Sequence, residues 1–151
     1  MTSPVKPRPG TLAARAAATA KVLAKFRTRP FDWATANCWK LTAAQARAMG
    51  HRFPPVPRFR SALGAKRELL ATGAATTAEF LDRHFPRLPS PAMALVGDLV
   101  LLPDGPDGQV LLGAVCIADG QGNLFGWHDA DASGMAAIKF AMADAVGAWR
   151  L

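Results

Sequence analysis

Two cysteines and three histidines are the residues best suited to covalent chemistry. Cys38 lies at the start of a predicted helix, where unpaired backbone N–H groups and the helix dipole favour the thiolate over the thiol. This position is typical of a nucleophile. A buried cysteine at a helix start also serves as an ordinary small apolar residue, so position alone leaves both interpretations open.

A nucleophilic cysteine needs a base, and the histidines differ in their suitability. His51 falls in a proline-rich loop and His84 near the end of a predicted helix, so we expect both at the surface. His128 lies two residues beyond Gly126 and shares its strand face if that strand extends so far. An active enzyme is therefore predicted to use Cys38 with His128.

The remaining polar motifs indicate turns, and the sequence predicts no cofactor and no metal. Residues 129–134 (DADASG) imitate the start of a calcium loop, but Phe140 stands at the twelfth position in place of glutamate. Residues 103–108 (PDGPDG) have the composition of tight turns. The chain has no phosphate loop, no zinc-ligand spacing and no dinucleotide fingerprint.

Helices are predicted in the first half of the chain and strands in the second, which indicates an α+β fold with an antiparallel sheet. The predicted helices span 12–26, 38–49, 59–72 and 76–85, and the predicted strands span 99–102, 110–118, 123–127, 136–142 and 145–151. The first helix has an apolar stripe of Leu12, Ala16, Thr19, Leu23 and Phe26, with Lys21 and Lys25 on the opposite face.

The formal charge of +7 is concentrated at one end of this 151-residue chain, whose length fits one domain. Residues 1–30 contain no acid, and the rest of the chain is neutral. We therefore divide the chain into a basic arm with its helix (1–30) and an α+β domain (31–151), and expect the arm to bind an acidic partner. Its seven bases are Lys6, Arg8, Arg15, Lys21, Lys25, Arg27 and Arg29.

Composition also bears on the class of protein. A hydrophobic fraction of 50% argues against disorder, no apolar run is long enough for a membrane span, and two cysteines fit a reducing compartment. The one aromatic residue of the arm, Phe26, belongs to the apolar stripe that we expect to pack on the domain, which disfavours a nucleic-acid partner. A mitochondrial presequence is an alternative interpretation of the acid-free start.

Residues 31–42, 97–102 and 113–120 follow one another in the order of three motifs of a known family. They resemble the NlpC-like family of papain-fold cysteine peptidases. Residues 31–42 (FDWATANCWKLT) resemble the family's aromatic-x-Trp-Gly and Asp-Cys start, and residues 97–102 (GDLVLL) its Gly-Asp-Leu-Val strand. Residues 113–120 (GAVCIADG) resemble its Gly-His-Val-Gly-Ile-x-x-Gly strand. The likeness is greatest to small phage-encoded, tail-associated members of unassigned function. Residues 148–150 (AWR) also resemble the end of these proteins.

This resemblance implies a papain-like fold in which the helix bearing Cys38 packs on the antiparallel sheet, with Trp33 and Trp39 at the cleft edge. It also implies that the family's base position holds Ala114 and that the third catalytic position falls near Gly126. Neither residue can take a proton or orient a histidine, so two of three catalytic roles are vacant.

We accordingly expect an inactive domain that serves as a structural or assembly component of a phage tail. It would be made in the host cytoplasm, be localised in the virion and bind other tail proteins through its arm. The alternative is an active murein or tail-processing cysteine peptidase that acts on peptidoglycan, and a third interpretation is a nucleic-acid binder. The sequence leaves open whether Cys38 and Cys116 can pair.

Overall fold

The fold is α+β, as the order of elements predicts. The structure is a computed structural model that describes residues 7–105, 109–127 and 144–151, together with the backbone of 136–139. The helices are α1 (Leu12–Phe26), α2 (Cys38–Ala48), α3 (Ala62–Ala71) and α4 (Thr77–His84), followed by a short 3-10 helix (Pro91–Met93). The strands are β1 (Leu99–Leu102), β2 (Ala114–Ala118), β3 (Asn123–Gly126), β4 (Ala136–Lys139) and β5 (Gly147–Trp149).

The α-helices begin at side-chain caps that the sequence supplies. Thr11, Asn37, Ser61 and Thr76 each adopt an extended backbone and accept a hydrogen bond from the N–H three residues later. Each cap satisfies a backbone donor that the first helical turn leaves unpaired. Helices α2 and α3 are followed by glycines at positive φ, Gly50 (84°) and Gly73 (90°), which end the helices where the sequence predicts.

The strands form one antiparallel sheet in the order β4-β3-β2-β1-β5. Strand β1 lies between β2 and β5, with Leu99 opposite Ile117 on one side and Trp149 on the other. The prediction of a strand from residue 110 is wrong, because β2 begins at Ala114. The backbone N–H groups of Leu111 and Leu112 donate to the Asp104 carboxylate at 2.8 and 3.2 Å instead of joining a strand ladder.

Both faces of β1 and β2 are buried, and alternate residues belong to different apolar layers. Leu99, Leu101, Val115 and Ile117 pack with residues of the four helices. The layer on the opposite sheet face is formed by the following residues: Val100, Leu102, Ala114, Cys116, Ala118, Leu124 and Ala148. A shift of one residue along β2 therefore moves a side chain away from the helices.

Helix α1 packs through a face that is rotated from the predicted stripe. Its buried residues are Arg15, Thr19, Val22 and Phe26, whereas Leu12 is 59% exposed. The prediction that Leu12 and Ala16 belong to the packed stripe is therefore wrong, and the exposed positions of Lys21 and Lys25 are confirmed.

A buried ionic cluster of Arg15, Asp98 and Arg150 determines which face of α1 packs on the domain. Arg15 Nη2 donates to Asp98 Oδ1 at 2.7 Å, and Arg150 Nε donates to Asp98 Oδ2 at 2.8 Å. Arg15 also donates to the carbonyl groups of Val96 (3.0 Å) and Leu151 (2.6 Å). The expectation that Arg15 belongs to an exposed, partner-binding set is corrected, because this side chain is buried inside the domain.

Candidate functional site

The turn before α2 fixes the position of Cys38. Asp32 accepts hydrogen bonds from the N–H groups of Ala34 (2.8 Å) and Thr35 (2.9 Å), which closes a tight turn over residues 32–36. Asn37 caps α2 by accepting from Lys40 N at 3.0 Å, and its amide donates to the Trp33 carbonyl at 2.9 Å. Cys38 is thereby held as the first residue of α2, as the sequence predicts.

A cavity of about 520 Å³ lies beside Cys38. Its wall contains six aromatic side chains: Phe31, Trp33, Trp39, Phe59, Phe80 and Trp127. These rings contact one another, with centroids 4.8 Å apart for Phe31–Trp33 and 5.2 Å apart for Trp39–Phe80. Trp33 and Trp39 thus line this cavity with Cys38, where the resemblance predicts the edge of a cleft.

The polar side chains in the cavity wall already have partners within the protein. Thr42 Oγ1 donates to the Cys38 carbonyl at 2.7 Å, and Thr77 Oγ1 donates to the Leu112 carbonyl at 2.6 Å. Asn37 forms its hydrogen bonds at the start of α2, and Asp104 accepts from the backbone N–H groups of Leu111 and Leu112. The wall is therefore apolar in character, with few free hydrogen-bonding groups.

The described surroundings of the Cys38 thiol disfavour its thiolate form. Burial raises the pKa of Cys38 from 9.0 to about 11 and outweighs hydrogen bonding from the Val115 backbone, which acts in the opposite direction. The negative charge of Asp104 raises the pKa further. At pH 7 a thiol with this pKa is ionised to only about one part in ten thousand.

No histidine lines the cavity among residues 7–105 and 109–127. His51 packs edge-on against Phe85 with ring centroids 5.1 Å apart, and His84 lies over Phe80 and Phe53. Both are half-buried, which corrects their expected surface placement, and burial lowers the pKa of each. His128 lies outside the described residues.

The two positions that the resemblance assigns to the missing base and orienting group belong to strands β2 and β3. Ala114 packs with Val100 and Leu102 in the layer on the sheet face away from α2. Gly126 approaches Cys116 so closely that a Cβ atom there would lie 2.7 Å from its Sγ atom. It is Val115, next to Ala114, that meets the Cys38 thiol through its backbone.

Both cysteines are free thiols. Cys38 packs against the layer that contains Val115 and Ile117, and Cys116 is fully buried in the layer on the other sheet face. Burial also raises the pKa of Cys116. In this structure the two thiols belong to different layers and are unpaired.

Residues 11–151 match the family described as "Domain of unknown function (DUF6950)". The chain belongs to this DUF6950 family. No curated protein and no solved structure matches the chain. The match begins at Thr11, the cap of α1, so the helix that the charge distribution groups with the N-terminal arm lies inside the matched region.

The exposed bases of the N-terminal basic segment of the DUF6950 chain lie on α1 and directly before and after it. Arg8, Lys21, Lys25, Arg27 and Arg29 are exposed, and Lys6 lies outside the described residues. Three of these cations lie over aromatic rings: Lys25 and Arg29 over Phe26 at 5.8 and 5.4 Å, and Arg27 over Phe125 at 5.6 Å. The contacts with the rings hold these bases close to the domain.

The end of the basic segment is joined to the cavity wall. Trp127 Nε1 donates to the Arg29 carbonyl at 2.9 Å, and the Trp127 ring contacts both Phe26 and Phe31. Sequence reasoning missed this connection, because residues 29 and 127 have no spacing signature that relates them.

Metal and membrane sites find no support in the part of the chain that the structure describes. Within it, no group of three histidine, cysteine or acidic residues is placed to hold a metal ion. The calcium-like segment 129–134 and Phe140 lie outside the described residues. None of the described helices has the length and apolar character to cross a membrane.

Proposed function

We propose that this DUF6950 domain is a non-catalytic, NlpC-like structural or assembly component of a bacteriophage tail. The observation that supports a non-catalytic role is the state of Cys38, a thiol with a raised pKa in a cavity that no described histidine lines. The phage-tail setting is supported by the resemblance of residues 31–42, 97–102, 113–120 and 148–150 to tail-associated members of the NlpC-like family.

Thiol proteolysis requires more than a cysteine in the right place. The attacking atom must be a thiolate, and a neighbouring imidazole must supply a proton to the leaving amine. Among the described residues that line the cavity, Asp104 carries the one charge, and its carboxylate opposes formation of a second negative charge on Cys38. The environment of Cys38 therefore favours the protonated, unreactive form.

Docking to a neighbouring tail protein is assigned to the exposed basic side chains of α1 and the segment after it, namely Lys21, Lys25, Arg27 and Arg29. None of the four forms an ion pair with a described residue. Four cations on one stretch of chain, none with an acidic partner among the described residues, complement an acidic surface and speed association with it.

The pH dependence of Cys38 alkylation tests the catalytic part of the proposal. In a Cys116→Ala background, the rate of reaction with iodoacetamide reports Cys38 alone. We expect a slow reaction with an apparent pKa above the ordinary value of about 8.5. A Cys38 pKa below that value would contradict a non-catalytic role. If His128→Ala then restored the ordinary pKa, the result would support a peptidase that uses Cys38 with His128.

Charge reversal tests the docking part more cleanly than deletion of the N-terminus, because α1 contributes Val22 and Phe26 to the core and its removal would unfold the domain. We expect Lys21→Glu combined with Lys25→Glu to reduce incorporation into tail particles. The matched control is Arg58→Glu with Arg60→Glu, which changes the charge equally in the exposed loop before α3.

If the two double variants were incorporated equally into tail particles, the proposed docking role of α1 would be wrong. Salt-sensitive DNA binding that only the α1 variant loses would favour the nucleic-acid interpretation instead.

A further inference from the structure

The wall of the cavity beside Cys38 has an unusual balance of aromatic and charged groups. Six aromatic side chains line it, and Asp104 is the only charged residue among the lining residues that the structure describes. The chain as a whole carries +7. A cavity whose described wall contains a carboxylate and no Lys or Arg is electrostatically suited to a cation.

The hydrogen bonds within the cavity wall indicate that the ligand carries few polar groups. Thr42 and Thr77 donate to backbone carbonyls, and Asn37 uses its oxygen and its amide at the α2 cap. A ligand with many hydroxyl or amide groups would lose its water partners and find few replacements here. An anion would meet the Asp104 carboxylate with no opposing base in the described wall.

Asp104 retains capacity to bind a positive charge. Each of its carboxylate oxygens accepts one backbone N–H, from Leu111 and Leu112, which leaves lone pairs on both oxygens. Asp104 is exposed, whereas Cys38 is half-buried next to the aromatic rings. A ligand's charged group is thus directed toward Asp104 and its apolar part toward Cys38.

We propose that this cavity is a binding site for a small organic cation, a quaternary ammonium group attached to an apolar or aromatic body. A quaternary ammonium has no N–H donors to satisfy, so a wall with few polar groups suits it, and the aromatic rings and the Asp104 carboxylate attract it electrostatically. The cavity volume of about 520 Å³ is within the range that holds a small molecule. The inference rests on the proposed non-catalytic role of Cys38.

Isosteric probes separate charge recognition from simple apolar binding. We propose titration calorimetry of the full chain with 4-hydroxyphenyltrimethylammonium, with its neutral isostere 4-tert-butylphenol, and with the anion 4-hydroxybenzenesulfonate. The expected result is affinity for the cation about tenfold or more above that for the neutral isostere, and no binding of the anion. In Cys116→Ala protein, the bound cation should also protect Cys38 from iodoacetamide.

Variants locate the site. Asp104→Asn keeps a side-chain oxygen for one backbone N–H and is expected to weaken the cation about tenfold while leaving 4-tert-butylphenol unchanged. Asp144→Asn removes the same charge at an exposed position that does not line the cavity, and it should leave both affinities unchanged. Thermal unfolding of both variants establishes that they remain folded.

Several results would overturn the inference: equal binding of cation and isostere, no binding of either, no protection of Cys38, or equal effects of the two aspartate variants. Trp39→Leu gives an independent readout, because it should weaken the cation even if Asp104→Asn proves unstable. The alkylation profile of the ligand-free protein is measured in the same samples. A low pKa of Cys38 there would refute the non-catalytic role, whereas failure to bind the cation with a high pKa would refute the ligand alone.

Discussion

Asp98 is the residue whose replacement we expect to destabilise the domain most. It is fully buried, and its two oxygens accept four hydrogen bonds. Oδ1 accepts from Arg15 Nη2 at 2.7 Å and Leu151 N at 3.1 Å. Oδ2 accepts from Arg150 Nε and Leu95 N, both at 2.8 Å. The carboxylate thus joins α1, the start of β1 and the residues after β5.

Asp98→Asn keeps the shape of the side chain but removes its charge. Arg15, itself only 8% exposed, would then be a buried cation without a counterion, and the new amide NH₂ group would face N–H donors. Breaking a buried ion pair in this way costs about 3–5 kcal/mol. At roughly 2–4 °C per kcal/mol for a domain of this size, we expect the Tm to fall by about 6–20 °C.

Thermal and urea unfolding followed by circular dichroism measure this loss, with Asp82→Asn as the matched control. Asp82 pairs with Arg87 at 2.8 Å, and both side chains are more than 40% exposed. Asp82 Oδ1 also accepts from Trp149 Nε1 at 2.9 Å, and asparagine keeps an oxygen for this bond. We therefore expect the loss of charge to cost at most about 1 kcal/mol. A loss of 1 kcal/mol or less for Asp98→Asn, equal to the control, would refute the stabilising role of the cluster. If Asp98→Asn does not fold, Arg150→Met provides a milder test, because Arg150 is the more exposed of the two arginines.

Three further predictions follow from single contacts. Gly126→Ala should lower the free energy of unfolding by about 1–3 kcal/mol because its Cβ would meet Cys116 Sγ, and Cys116→Ala in the same chain should restore most of the loss in urea unfolding. Burial lowers the pKa of His51, so the folded state binds fewer protons than the unfolded state. The free energy of unfolding should therefore fall as the pH drops below about 6.5. The fall should be smaller in His51→Phe. Ala114 borders the cavity but packs in the layer of Val100 and Leu102, so Ala114→His should destabilise the domain without lowering the pKa of Cys38 alkylation. A lowered pKa would show that the position 114 side chain reaches the thiol.

Local signals in the sequence were sufficient for most of the fold. Helix α1 and strand β1 have the predicted bounds because caps, glycines and apolar runs are determined by neighbouring residues. Thr76 illustrates this, since its hydroxyl accepts from Glu79 N at 3.1 Å as the spacing predicts. The error at residue 110 arose because the Asp104 carboxylate, seven residues before Leu111, accepts the N–H groups that a strand would use.

The candidate site was predictable only in part. The position of Cys38 at a helix start follows from the Asn37 cap and the helix pattern. The cavity does not, because its aromatic rings come from separate segments that only the tertiary fold assembles. The packed face of α1 could not be predicted either. A helical arginine such as Arg15 is expected to be exposed unless its partner, here Asp98, is known to be buried.

The chemical state of Cys38 depends on which of two opposing effects is larger. A helix N-terminus stabilises a nearby negative charge by about 0.3–1 kcal/mol. The rise in the pKa of Cys38 from 9.0 to about 11 corresponds to roughly 3 kcal/mol against the thiolate, so burial is the larger effect. The same aromatic wall that makes the cavity suitable for an apolar ligand therefore keeps the cysteine protonated. An active peptidase would have to admit water and an imidazole to this space, and each would reduce the affinity of the cavity for an apolar ligand.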